Sequence, residues 1–217
     1  MRVVARFGSV ADGDLAIDSG EPGLTARRQA IVDLPWTWLR QVHGSRVVTV
    51  TEPGGSAGLS ADAAVTVVEG AVLAVQTADC APVLLSSPQG VIGAAHAGWR
   101  GLADGVIGAA VEAMRALGAV DVAASLGPCI APSSYEFSSA ELTTLAFRFG
   151  PDVVGATRDG APAFDLRIGV RQALREVGVE LDRAGGDPPD TATDLDYYSW
   201  RARGDAGRQS SVIWLES

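Results

Sequence analysis

Apolar residues come as short unbroken runs through the first half of the chain and as spaced stripes through much of the second. The runs at 36–39, 47–51, 64–68, 72–76, 83–85, 91–95, 122–126 and 211–215 predict strands, because short aliphatic or aromatic segments bounded by turn formers fit a buried sheet. Helical periodicity appears where Val106, Ala110, Val111, Met114 and Leu117 form one stripe, stopped by Gly118. Val170, Leu174 and Val177 form another, closed by Gly178 at the C′ position. Residues 139–149 read as a third helix, and Thr25 is placed to cap a fourth that runs through Ile31. The segments 52–58 and 185–190 carry turn residues and read as surface loops. Strands and helices without regular β-α-β alternation predict a mixed α/β (α+β) fold. A length of 217 residues suits one domain spanning 1–217, since neither loop looks like a linker.

Composition narrows the function. The net charge of −9 disfavours a nucleic-acid surface. No stretch is long and apolar enough to span a bilayer, and the N-terminus carries no charged-then-apolar leader, so a soluble cytoplasmic protein is expected. All 17 basic residues are arginines, which excludes a Schiff-base lysine and a Walker A lysine. The chain has no Asn either, so no Cys-His-Asn triad can form. Nothing in the pattern demands an oligomer, and a monomer is expected.

Only two histidines occur, His43 in Gln41-Val42-His43-Gly44 and His96 in Ala95-His96-Ala97-Gly98-Trp99-Arg100-Gly101. Between them lies Cys80, in Thr77-Ala78-Asp79-Cys80-Ala81-Pro82. Two imidazoles and a thiolate are the donors of an open zinc site, and their wide spacing suits a catalytic centre rather than a zinc finger. Asp79 is placed to orient a ligand or to act as a base. Gly44, Gly98 and Gly101 permit close backbone approach. The same residues admit plainer roles: a buried Cys is a small hydrophobe, and a His beside Gly is often a turn residue. A Cys80 nucleophile with a His base is a further alternative. Cys129, in Gly127-Pro128-Cys129-Ile130, reads as a packed turn residue, Trp99 as a core or pocket-wall aromatic, and Arg100 as an anion ligand or a helix-start ion pair.

The three motifs, followed by Leu126-Gly127-Pro128-Cys129-Ile130, Ser134-Tyr135-Glu136-Phe137, Tyr198-Ser199-Trp200-Arg201 and Gly207-Arg208, occur in an order that closely resembles the YfiH family. Its members are labelled polyphenol oxidases or laccase-domain proteins, and also purine nucleoside phosphorylases. The resemblance implies helices packed outside two central sheet layers, an α-β-β-α sandwich. It implies zinc held by His43, Cys80 and His96. It also implies phosphorolysis of adenosine, inosine, guanosine and 5′-methylthioadenosine, with adenosine deamination as a companion activity. The chain departs from the family pattern at Arg6-Phe7-Gly8-Ser9-Val10, at Arg27-Arg28, at Asp190-Thr191 and at Ala202.

These readings give His43, Cys80 and Asp79 as candidate catalytic residues, and His43, Cys80 and His96 as candidate metal ligands. Arg28, Arg46 and Arg100 are the candidates for holding phosphate or substrate. Purine nucleosides and phosphate are the expected partners, with neither nucleic acid nor membrane. Two histidines and one cysteine can mimic a blue copper site, so adventitious copper is compatible with the triad. A multicopper oxidase needs many more histidines than this chain has. The alternatives are a metal-free Cys-His hydrolase and a non-catalytic nucleoside- or protein-binding module.

Overall fold

The computed structural model describes residues 1–18, 23–182 and 186–216. Gly185, at the start of the second expected loop, lies outside the described residues. In chain order the elements begin with β1 (Arg2–Phe7), α1 (Leu24–Ile31), β2 (Trp36–Trp38), β3 (Val47–Val50), β4 (Ala63–Thr66), β5 (Val72–Thr77), β6 (Ala81–Ser86) and β7 (Ile92–Ala97). Then come α2 (Trp99–Ala103), α3 (Val106–Ala116), β8 (Ala123–Leu126), α4 (Ser139–Phe149), β9 (Val154–Ala156), β10 (Pro162–Phe164), α5 (Leu166–Glu176), β11 (Glu180–Leu181), α6 (Trp200–Arg203) and β12 (Gln209–Glu216).

Two sheets stack face to face. One has the order β11-β8-β6-β7-β4-β3, the other β1-β12-β5-β2, and β9 and β10 form a separate pair. Between the sheets lies an aliphatic layer that includes Val50, Ala64, Leu73, Val75, Leu84, Ile92 and Ile213. Alternation supplies it: Leu73 and Val75 point inward from β5, while Val72 and Ala74 point outward to Trp36 and Trp214. Ile31 at the end of α1, with Val32 and Leu34, packs against that outer face. The opposite face of the six-stranded sheet carries the apolar stripes of α3 and α5, through Val106, Ala110, Val111, Met114, Val170 and Leu174. The mixed α/β sandwich is therefore present, with most of its helices on one side.

Local signals explain the element ends. Ser138 caps α4 and Glu141 reaches back to it, a reciprocal capping box. Gly178, at φ +70°, follows the last residues of α5 as anticipated. The structure departs from these expectations, or adds to them, in four places. Gly23, not Thr25, occupies the N-cap of α1, and Thr25 lies inside the first turn. The strand expected over 91–95 continues through His96 to Ala97, because β6 pairs alongside it as far as Ala81↔Ala97. Trp99-Arg100-Gly101 opens a separate short helix, divided from α3 by Gly105 at φ +90°. Strands β1, β9, β10 and β11 were not anticipated: β1 alternates too weakly, and the other three are short.

Candidate metal centre and its cavity

Three different elements deliver the triad. His96 sits in β7, in the middle of the six-stranded sheet and 3 % exposed. Cys80 immediately precedes β6, the antiparallel neighbour of β7. His43 lies on the loop after β2 in a left-handed conformation, φ +59°. Their donor atoms all lie within 4.8 Å of one another. Cys80 Sγ is 3.8 Å from His43 Nε2, and the two imidazoles meet edge to face at 4.8 Å between centroids.

Asp62 organises this cluster, and nothing in its sequence surroundings marked it. Its fully buried carboxylate accepts from three successive backbone amides, Val42 at 3.2 Å, His43 at 2.9 Å and Gly44 at 2.8 Å. Successive amides turned to one side form an anion-binding concavity, which offsets the strain of the positive φ at His43. The same carboxylate reaches His96 Nδ1 at 2.9 Å, leaving Nε2 of that ring for the cluster. Burial pushes the Asp62 carboxyl up, but hydrogen bonds from His96 and from the amides of Gly44 and His43 outweigh it and hold the group below its usual range.

Charge within the cluster is shared. Burial works against ionisation of Cys80, yet His96 and His43 bring its thiol down to about 6. Burial likewise disfavours the charged His96, yet Cys80 and Asp62 raise it to about 9. Cys129 shows the contrasting case: burial, with Asp165 and Asp190 nearby and against the pull of Arg167, pushes its thiol up to about 12, as suits a packed residue. Two glycines let the parts converge. A Cβ on Gly98 would stand 2.6 Å from His43 Cδ2 and 3.1 Å from Cys80 Sγ, and one on Gly101 would stand 2.8 Å from the Gly44 carbonyl oxygen.

Asp79 occupies another strained position, φ +91° and 6 % exposed. Its carboxylate accepts from Thr191 Oγ1 at 2.8 Å, Ser199 Oγ at 2.7 Å and the Arg201 amide at 2.6 Å. It therefore ties the segment that carries α6 to the residue beside Cys80.

The triad opens into a cavity of about 810 Å³. Arg100 lines it, with its guanidinium 4.4 Å above the Trp99 ring and no hydrogen bond or ion pair to protein among the described residues. Arg28 and Arg46 do not line it. Arg28 lies over the Trp36 and Trp38 rings, where burial lowers its pKa, and Arg46 donates to the Ser60 carbonyl. Residues added by the structure include Arg40, Arg201, Arg208, Tyr135 and Trp200. Tyr135, its phenol pushed up chiefly by burial, keeps its proton. Arg201 and Trp200 belong to a motif already visible in the sequence; Arg40 and Asp62 have no local signal, because only tertiary folding brings them to the site.

Residues 11–216 match the family model described as "Multi-copper polyphenol oxidoreductase laccase". A purine nucleoside phosphorylase of Streptomyces coelicolor is 38 % identical over 213 residues, covering 96 % of this chain and 86 % of that protein. The crystal structure of Neisseria meningitidis protein NMB0706 is similar with a TM-score of 0.82 and 29 % identity, covering 100 % of this chain and 91 % of that one. The Bacillus licheniformis hypothetical protein YfiH shares the fold, with a TM-score of 0.84 and 23 % identity over 99 % of this chain and 93 % of that one. Among the described residues no helix is long and apolar enough to cross a membrane.

Proposed function

The chain belongs to the YfiH family of laccase-like proteins, and on that premise we propose that it is a zinc-dependent purine nucleoside phosphorylase. It cleaves adenosine, inosine, guanosine and 5′-methylthioadenosine with phosphate, giving free base and sugar 1-phosphate, and deaminates adenosine as a companion activity. The observation that carries this reading is the meeting of the His43-Cys80-His96 cluster with Arg100, which has no ion pair among the described residues, in one cavity large enough for a nucleoside and phosphate. The relative from Streptomyces coelicolor, named a purine nucleoside phosphorylase, supports it.

The donor set fits zinc. Ligands at tetrahedral zinc, roughly 2.1 Å for nitrogen and 2.3 Å for sulfur, stand about 3.6 Å apart, and the Cys80–His43 separation is 3.8 Å. A thiol held near 6 is already the thiolate that coordination requires. Zinc held by His43, Cys80 and His96 supplies Lewis acidity toward an oxygen brought to its open position.

The protein's own groups do the rest. Glycosidic cleavage builds positive charge on the ribose, and the attacking phosphate must be held against the anomeric carbon. Arg100 takes the phosphate role assigned to it, and Arg201 and Arg208 also line the cavity. Arg28 and Arg46 carry no part of it. Tyr135 offers a neutral donor. Asp79 acts by holding residues 191–201 in place. Multicopper oxidation is not part of the proposal, since both histidines of the chain are already in the triad.

A second reading, a metal-free Cys-His hydrolase, draws on the Cys80–His43 contact and the low thiol pKa. Elemental analysis joined to an adenosine assay with and without phosphate separates the two. The phosphorylase reading expects about one zinc per chain and adenine release only with phosphate. Metal-free protein with undiminished activity overturns it.

A further inference from the structure

One hydroxyl on the cavity lining is rigidly held and has no partner. Tyr135 is 7 % exposed and lines the cavity. Its ring belongs to the core, where it meets Phe137 edge to face at 4.7 Å and lies 6.5 Å from Phe164. Its backbone is fixed from both sides: the amide donates to the Pro132 carbonyl at 3.1 Å, and the carbonyl accepts from the Phe164 amide at 3.2 Å. The hydroxyl makes no hydrogen bond among the described residues, yet it is not sealed from solvent. Thr77 Oγ1, also unpaired and also on a cavity-lining residue, is sealed. A ring packed in the core with an accessible, unbonded oxygen leaves the cavity as the place where that oxygen meets a partner.

The charges around the phenol say which ligand atoms come to it. Arg201 lays its guanidinium over the Tyr135 ring at 5.0 Å. It is anchored there, its amide donating to Asp79 at 2.6 Å and its Nη1 to the Glu136 carbonyl at 3.1 Å. Arg100 is the other cation whose field reaches the hydroxyl; Cys80 and Asp79 are the anions. Resting on the phosphorylase reading, we propose that the Tyr135 hydroxyl donates a hydrogen bond to the attacking phosphate and completes, with Arg100 and Arg201, the set of donors that holds it. A phosphate dianion presents more lone pairs than two guanidinium groups fill. The phenol supplies a further donor without a further charge, and its fixed ring spares the entropy of ordering it at the moment of binding. Base and ribose are neutral in the ground state and gain little from a donor set built on two guanidinium groups.

The test compares zinc-loaded wild type with Tyr135→Phe, which removes one oxygen and keeps the packed ring; thermal denaturation and zinc content verify that fold and metal are retained. We expect kcat/KM for phosphate to fall about tenfold or more, with the KM for adenosine at saturating phosphate unchanged. A titration of inorganic phosphate followed by ³¹P NMR needs no turnover, and the same weakening of about tenfold is expected there. A loss confined to the KM for adenosine overturns the proposal, because it would place the hydroxyl on the nucleoside. Equal phosphate binding by the two proteins overturns it, as does a loss that moves both KM values together with a lowered Tm. Wild type that binds phosphate through Tyr135 without cleaving adenosine would refute the phosphorylase reading and leave the anion contact standing.

Discussion

Asp62 and His96 are joined twice: the carboxylate meets His96 Nδ1 at 2.9 Å, and the His96 backbone amide donates to the Asp62 carbonyl at 2.7 Å. One residue thus fixes both the ring and the main chain of a candidate ligand, and through the amides of 42–44 it fixes a second. Asp62→Asn should weaken zinc retention about 10- to 100-fold, read by competition with a chromophoric chelator. Unchanged retention would show that packing alone orients the histidines.

The two cysteines should differ sharply in the metal-free protein. Cys80 is the thiolate above about pH 6, whereas Cys129 stays a thiol to about 12. Iodoacetamide should label Cys80 with a rate that is level above neutrality and falls as the pH drops through about 6. Cys129 should remain unlabelled, and zinc should protect Cys80. Peptide mass spectrometry across a pH series reads both sites at once.

Replacement of Cys80 by Ser keeps the shape of the residue but removes the soft donor. Zinc content after dialysis should drop well below that of wild type, and phosphate-dependent adenine release should drop with it. Retention unchanged would remove Cys80 from the ligand set.

The arginines separate by position. Arg100→Ala should raise the KM for phosphate about tenfold or more, the scale of a lost charged hydrogen bond. Arg28→Ala should leave that KM alone and cost about 1 kcal/mol of stability through its lost stacking on two tryptophans. Steady-state kinetics at varied phosphate and denaturant titrations read these effects, and the reverse pattern would sink the assignment.

Asp79→Ala should destabilise the protein by about 2–4 kcal/mol, because buried donors from Thr191, Ser199 and Arg201 lose their common acceptor. Asp79→Gly should be less harmful than Asp79→Ala by about 1 kcal/mol, since only glycine takes φ +91° without strain. Chemical denaturation compares the pair directly.

Much of this was legible before folding. The α3 and α5 stripes, α4 and the central strands follow from apolar periodicity, and the triad from the scarcity of His and Cys. Of the three candidate arginines only Arg100 lines the cavity, because proximity in sequence to a motif does not decide which way a side chain faces. Arg46 lies three residues from His43 yet bonds to Ser60, whereas Arg40 lies equally near and lines the cavity. Asp62 was silent for another reason: its role exists only through tertiary contacts, with partners 18 to 34 residues away.

Strand β12 is the last in chain order, yet it lies between β1 and β5. A ribosome therefore delivers the centre of the four-stranded sheet after its flanks. Until residues 209–216 emerge, β1 has no neighbour and the face covering the aliphatic layer stays open to solvent. Synthesis can complete the His-Cys-His set long before the wall that encloses it, so a prematurely released chain would have the means to capture metal without the chamber in which to use it.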